Sequence, residues 1–98
     1  MAKMKKISAV ARHILVSAEQ ECQELKDRIN SGEKFEDIAK AHSICPSKAD
    51  GGDLGEISPG MMVKEFDDVV FIKDIGVVHG PIKTQFGFHL VEIISRSF

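Results

Sequence analysis

Ala9-Val10-Ala11-Arg12-His13-Ile14-Leu15-Val16 reads as a strand that carries an imidazole. Branched and apolar residues dominate it, which is the composition of a strand. Near the other end of the chain, Phe88-His89-Leu90-Val91-Glu92-Ile93-Ile94 has the same character and also holds one histidine. An imidazole buried in such a segment must find a hydrogen-bond partner or lose free energy. His13 and His89 satisfy each other if their strands are neighbours. A Cys45-Pro46 segment and a Gly51-Gly52-Asp53-Leu54-Gly55 turn lie between them.

Outward from the first strand, Ser17-Ala18-Glu19-Gln20 has capping-box spacing, so a helix is expected from there to about Asn30. Cys22, Leu25 and Ile29 share one face of it, and Gly32 is placed to stop it. A second helix is expected over Lys34 to His42, with Phe35, Ile38 and Ala39 as its apolar face. Ser43 to Asp53 is loop chemistry, since Pro46 biases Cys45 towards extended geometry and paired glycines permit a tight turn. Leu54 to Ile57 reads as a short strand and Glu65 to Phe71 as a short helix. Gly76 and Gly80-Pro81 punctuate a loop. Ile82 to Thr84 and Phe88 to Ile94 then form two strands around Gln85-Phe86-Gly87. This order favours an α/β sandwich with helices packed on a mainly antiparallel sheet. Residues 1–6 read as a flexible tail and residues 7–98 as one domain, which suits a chain of 98 residues.

Composition excludes several classes. The net charge is −2 and the basic residues are scattered, apart from Lys3, Lys5 and Lys6. No basic stripe for nucleic acid is visible. The apolar stretch Ile7 to Ala11 is cut by Arg12 and His13, whereas a secretory signal needs about 7–15 apolar residues. No run approaches the roughly 20 apolar residues of a membrane span. Cys22 and Cys45 fit a reducing compartment. A soluble cytoplasmic protein is therefore expected. Neither Cys-x-x-Cys nor His-x-x-x-His spacing occurs, so no metal or cofactor is expected. No Lys-Ser/Thr follows Gly51-Gly52-Asp53-Leu54-Gly55, which is not a phosphate loop. His42 looks like a capping or packing residue, and His79 is expected in an exposed loop before Gly80-Pro81.

The ordered set of segments resembles the parvulins, the smallest family of peptidyl-prolyl cis/trans isomerases. It comprises Arg12-His13-Ile14-Leu15-Val16, Phe35 to His42, His42-Ser43-Ile44-Cys45-Pro46-Ser47, Gly51-Gly52-Asp53-Leu54-Gly55, Met62 to Phe71 and Gly80 to His89. The resemblance implies a four-stranded sheet wrapped by four helices in βαααβαββ order. It also places His13 and His89 on adjacent central strands. By the same resemblance, Cys45 matches a polar site position that is cysteine or aspartate in the family. Thr84 matches a hydroxyl linked to the histidine pair. Leu54, Met62 and Phe66 match the apolar pocket for the proline ring, and Phe86 lies near its rim. Some parvulins carry a basic phosphate-reading loop after the first strand. Here Ser17 to Glu24 contains no Lys or Arg, which argues against phospho-specificity.

The implied activity is isomerisation of X-Pro bonds in unfolded or flexible chains by a monomer. Rotation faces a barrier of roughly 18–20 kcal/mol and takes tens to hundreds of seconds unaided. Turnover at about 10 per second needs only about 4 kcal/mol or slightly more. Two roles for Cys45 are open: a thiolate nucleophile activated by an imidazole, or a weak hydrogen-bond partner in a non-covalent site. The smallness of the required gain favours the second. For His13 and His89, a direct catalytic role and a structural pairing of two strands are both open. A thiol hydrolase built on Cys45 is a further enzyme reading, without a local cysteine-protease signature. Outside enzymes, the alternative is a proline-binding module or holdase that captures unfolded segments.

Overall fold

The computed structural model describes residues 7–97. The expected tail over residues 1–6 lies outside them. The elements are β1 (Ser8–Val16), α1 (Glu19–Asn30), α2 (Phe35–His42), a 3-10 helix (Pro46–Asp50), β2 (Asp53–Ile57), α3 (Lys64–Val70), β3 (Val78–Thr84) and β4 (Gly87–Ser97). The strands lie in the order β2-β1-β4-β3, and each neighbouring pair is antiparallel. The two histidine-bearing strands are thus the central neighbours. The α/β sandwich of the sequence reading is the fold. Its fourth helix is instead the five-residue 3-10 helix, which Pro46 opens and Gly51 closes before an α-helix can propagate.

Side-chain alternation along the strands builds two cores. Ile14, Val16 and Leu90 face α1 and α2, packing with Cys22, Leu25, Phe35 and Ile38. Ala9, Ala11 and Val91 face the other way and pack with Ile57, Phe66 and Val70 of the α3 side. His13 lies opposite Val91, and His89 opposite Leu15. Both imidazoles therefore sit on the α3 face as diagonal neighbours, the placement that lets them meet.

Three local expectations are corrected. The capping box at Ser17 does not form: α1 starts at Glu19 with Ala18 as its cap and no side-chain cap bond. Gln20, the other half of that box, donates its amide to Glu24 instead, at 3.4 Å. Strand β3 begins at Val78 and contains Gly80-Pro81, which falls at a register shift between His79 and Ile82. An edge strand tolerates proline and a bulge there because no further strand needs its donors. His79 consequently lies in this strand, half-buried, and its Nε2–H donates to the Asp74 carbonyl at 2.8 Å.

A second bulge matters for the surface. Val10 pairs with Ser95 while Ala11 pairs with Ile93, so Ile94 is an extra residue in β4. The insertion reverses the facing of the residues after it. Arg96 turns to the α3 side, where its NH1 donates to the carbonyls of Val70 and Lys73, both at 2.9 Å. These belong to the end of α3 and the turn beyond it, where carbonyls lack helical partners. Among the described residues no helix is long and apolar enough to cross a membrane.

Candidate active site

Strands β1 and β4 bring the two imidazoles into stacked contact, with ring centroids 5.3 Å apart. His13 Nδ1 lies 3.2 Å from His89 Nδ1. The outer nitrogens are occupied too. His13 Nε2 lies 3.2 Å from Ser47 Oγ, and His89 Nε2 lies 2.7 Å from Thr84 Oγ1. The chain continues one step further, because the Phe86 backbone N–H donates to Thr84 Oγ1 at 3.1 Å. Phe66 supports both rings edge-on, at 5.6 Å from His13 and 5.8 Å from His89. The imidazoles are 3 % and 4 % exposed, so neither ring presents an open face to solvent.

A neutral imidazole has one donor and one acceptor nitrogen. The row Ser47–His13–His89–Thr84 is satisfied in two ways. In one, Ser47 O–H donates to His13 Nε2, His13 Nδ1–H to His89 Nδ1, and His89 Nε2–H to Thr84 Oγ1. In the other, every bond in the row reverses. Either order needs both rings neutral. Burial pushes the pKa of His13 down from 6.5 to about 4, with the neighbouring His89 adding to the effect. Burial also lowers that of His89.

The consequence is acid sensitivity. The native state disfavours the charged imidazole, so this stabilisation is complete above the unfolded pKa of 6.5 and disappears as pH falls towards about 4. Between neutrality and about pH 5, His13 alone removes about 2 kcal/mol of stability. Thermal unfolding of the wild type should show this loss, and a His13→Gln variant should lack that part of it. Equal pH dependence in the two proteins would refute neutral burial of His13.

The segment after α2 is stitched to the end of β1. Ser43 Oγ accepts from the backbone N–H groups of Leu15, at 3.0 Å, and Cys45, at 3.3 Å. Ile44 N–H donates to the Leu15 carbonyl at 2.8 Å. Gly52 carbonyl accepts from His13 N–H, and Gly52 N–H donates to the Ser47 carbonyl, both at 2.9 Å. This lattice delivers Ser47 to His13 and holds Cys45 at the start of the 3-10 helix. Cys45 is half-buried and unpaired. Cys22 is buried in the core on the helix side of the sheet, so the two thiols are held apart.

His13, His89 and Thr84 are thus joined in one row, and Cys45 stands outside it. Leu54 and Met62 are half-buried against the α3-side core. Phe66 is fully covered and meets the imidazoles rather than open solvent. Phe86 is 59 % exposed in the β3–β4 turn. Sequence reasoning missed Ser43 and Ser47. The available signal was a count of ring nitrogens: a buried pair uses one nitrogen from each ring and leaves two that need partners. Among the described residues no group of side chains could hold a metal ion.

Residues 1–95 match the rotamase family, described as the PPIC-type PPIase domain. The foldase protein PrsA 4 of Bacillus cereus is 44% identical over 85 residues, covering 86% of this chain and 30% of the relative. The chaperone SurA of Nitrosospira multiformis is 41% identical over 95 residues, covering 88% of this chain and 22% of the relative. The solution structure of NmPin, the parvulin of Nitrosopumilus maritimus, superimposes with a TM-score of 0.82 at 37% identity, covering 96% of this chain and all of that one. The chain spans less than a third of the length of these two curated relatives, but the whole of the small parvulin. It belongs to the rotamase family as a PPIC-type peptidyl-prolyl cis/trans isomerase domain. The parvulin resemblance of the sequence is borne out.

Proposed function

We propose that the domain accelerates rotation about X-Pro bonds in unfolded or flexible polypeptides without a covalent intermediate. The observation that carries the non-covalent reading is the occupancy of the imidazoles. All four ring nitrogens face Ser47, Thr84 or the other histidine. Activating Cys45 as a nucleophile requires a base within hydrogen-bond reach, and neither ring has a nitrogen to spare. Rotation disrupts amide resonance, so an apolar surround that disfavours the charge-separated planar amide favours the twisted state. Leu54 and Met62 supply that surround, and methionine adapts its shape to a ring. Phe66 sets the floor under the histidine row, and Phe86 borders it. The row holds the side-chain oxygens of Ser47 and Thr84 in place in either proton order, so these groups need little reorganisation during rotation.

Cys45→Asp should therefore retain substantial activity, within about tenfold of wild type, because a polar group persists where no covalent bond is made. Near-total loss of kcat/KM with intact folding would restore the nucleophile.

The activity on clients is tested by refolding a protein whose slow phase is limited by X-Pro isomerisation. Substoichiometric domain should accelerate that phase in proportion to its concentration. A second reading, capture without catalysis, is favoured by the exposed Met61, Phe86 and Ile44, at 62%, 59% and 59%. It is also favoured by the description of one relative as a chaperone. Capture would slow refolding and need stoichiometric amounts.

Our reading of the client is an uncharged or hydrophobic residue before proline, since Ser17 to Glu24 offers no cationic group. The same proposal takes the domain as a monomer in the cytoplasm. The location is read from Cys22 and Cys45, which a reducing compartment keeps as thiols.

A further inference from the structure

A cavity of about 300 Å³ lies on the sheet face opposite the histidine row. Val10 and Ile94 form its apolar wall, and Asp50, Asp53 and Glu36 its acidic side. Ile94 is there because of the β4 bulge, which leaves this large apolar residue 48 % exposed. Arg12 also lines the cavity, but its charge is already matched. It lies over the Phe35 ring at 4.6 Å. Its Nε and NH2 reach Glu92 Oε1 at 2.6 and 2.5 Å, and its NH1 reaches Glu36 Oε2 at 3.1 Å.

We infer that this cavity binds a cationic side chain, lysine or arginine, presented by a polypeptide. The complementarity has two parts. A lysine or arginine combines an aliphatic stem with a charged head, and the cavity combines an aliphatic wall with a carboxylate side. Arg12, Glu92 and Glu36 together carry one net negative charge, Asp50 and Asp53 add two more, and Lys34, near enough to act on Glu36, offsets one of them. An anion is repelled, and an uncharged apolar side chain gains the aliphatic contact without the charge attraction. The volume is at the lower end of small-ligand sites, which suits one side chain rather than a cofactor.

The site also shares a wall with the isomerase site. Gly51 lines the cavity, and its neighbour Gly52 accepts from the His13 N–H at 2.9 Å. A client occupying both places would bring a basic residue and a proline to opposite faces of one sheet. The binding inference itself does not require catalysis.

The test uses the full chain and Nα-acetyl-lysine N-methylamide as the probe, with amide chemical shifts read at low salt. Saturable shifts are expected at Val10, Gly51, Asp53 and Ile94. The norleucine and Nε-acetyl-lysine analogues, which keep the stem without the charge, should not produce them. Asp50→Asn/Asp53→Asn should weaken the probe by about tenfold and leave X-Pro exchange at the wild-type rate. Asparagine at 53 preserves the acceptor for the Gly55 N–H, which Asp53 now holds at 2.8 Å. Absence of saturable shifts, equal shifts from the norleucine analogue, or unchanged affinity in the folded double variant would overturn the inference. Because the analogue comparison needs only the wild type, it decides the matter even if the variant does not fold. Shifts with no X-Pro exchange would sink the isomerase reading alone.

Discussion

His13→Ala should lose both stability and activity, in a ratio that tells whether the imidazole does more than join two strands. Removing the ring strips His89 Nδ1 and Ser47 Oγ of their partners. A buried polar group left unsatisfied costs about 1–3 kcal/mol, and the edge contact with Phe66 is lost as well. A total of about 2–4 kcal/mol is expected. For a domain of this size each kcal/mol lowers Tm by about 4–8 °C, so the variant should still fold in the cold. Its kcat/KM there should fall by roughly ten- to a hundredfold, bounded by the roughly thousandfold acceleration that useful turnover requires. A folded variant with wild-type kcat/KM would make the pair a structural strut only. His13→Gln, which keeps a donor and an acceptor, should recover part of the stability and little of the activity.

Gly52→Ala should be the more destabilising change, although it adds a single methyl group. Gly52 has φ +87°, and a Cβ there would stand 2.3 Å from the His13 carbonyl oxygen. That oxygen belongs to β1, a central strand, so it cannot swing aside as a flexible side chain would. Gly60 provides the control, with the same φ of +87° and nothing within 4 Å of the added atom. Gly60→Ala should cost only the left-handed backbone penalty, about 1 kcal/mol. Gly52→Ala should cost about 3 kcal/mol or more and should disturb the His13 amide and ring signals. Denaturant midpoints of the two variants measure the difference. Equal losses would mean that the turn moves freely and does not anchor His13.

Much of this was legible in the residues, for physical reasons that differ by element. Helices α1 and α2 were visible because Cys22, Leu25, Phe35, Ile38 and Ala39 recur at helical spacing and are buried. Strands β1 and β4 were visible from their branched apolar runs, and their partnership followed from the need to pair two buried imidazoles. The start of α1 was misread because a capping box is a short, degenerate pattern, and Gln20 had a closer use for its amide on Glu24. Strand β3 was read too short because glycine and proline usually end strands. Only the tertiary structure shows β3 to be an edge, where a bulge is tolerated. Ser47 was hidden because its role depends on the turn after Cys45, and that turn is closed by Gly52 and His13. The acidic cavity draws on β1, α2, the 3-10 helix, β2 and β4, and no local pattern announces so scattered a set.

The central claim is catalysis of X-Pro rotation by this domain, and two-dimensional NMR exchange tests it most directly. A short Ala-Leu-Pro-Phe-type peptide is observed with and without substoichiometric protein. Uncatalysed interconversion is too slow to connect its cis and trans signals. The account predicts exchange cross-peaks between them when the protein is present, at rates that scale with its concentration. Unchanged exchange, together with shifted or broadened peptide signals, would contradict it and leave a proline-binding module.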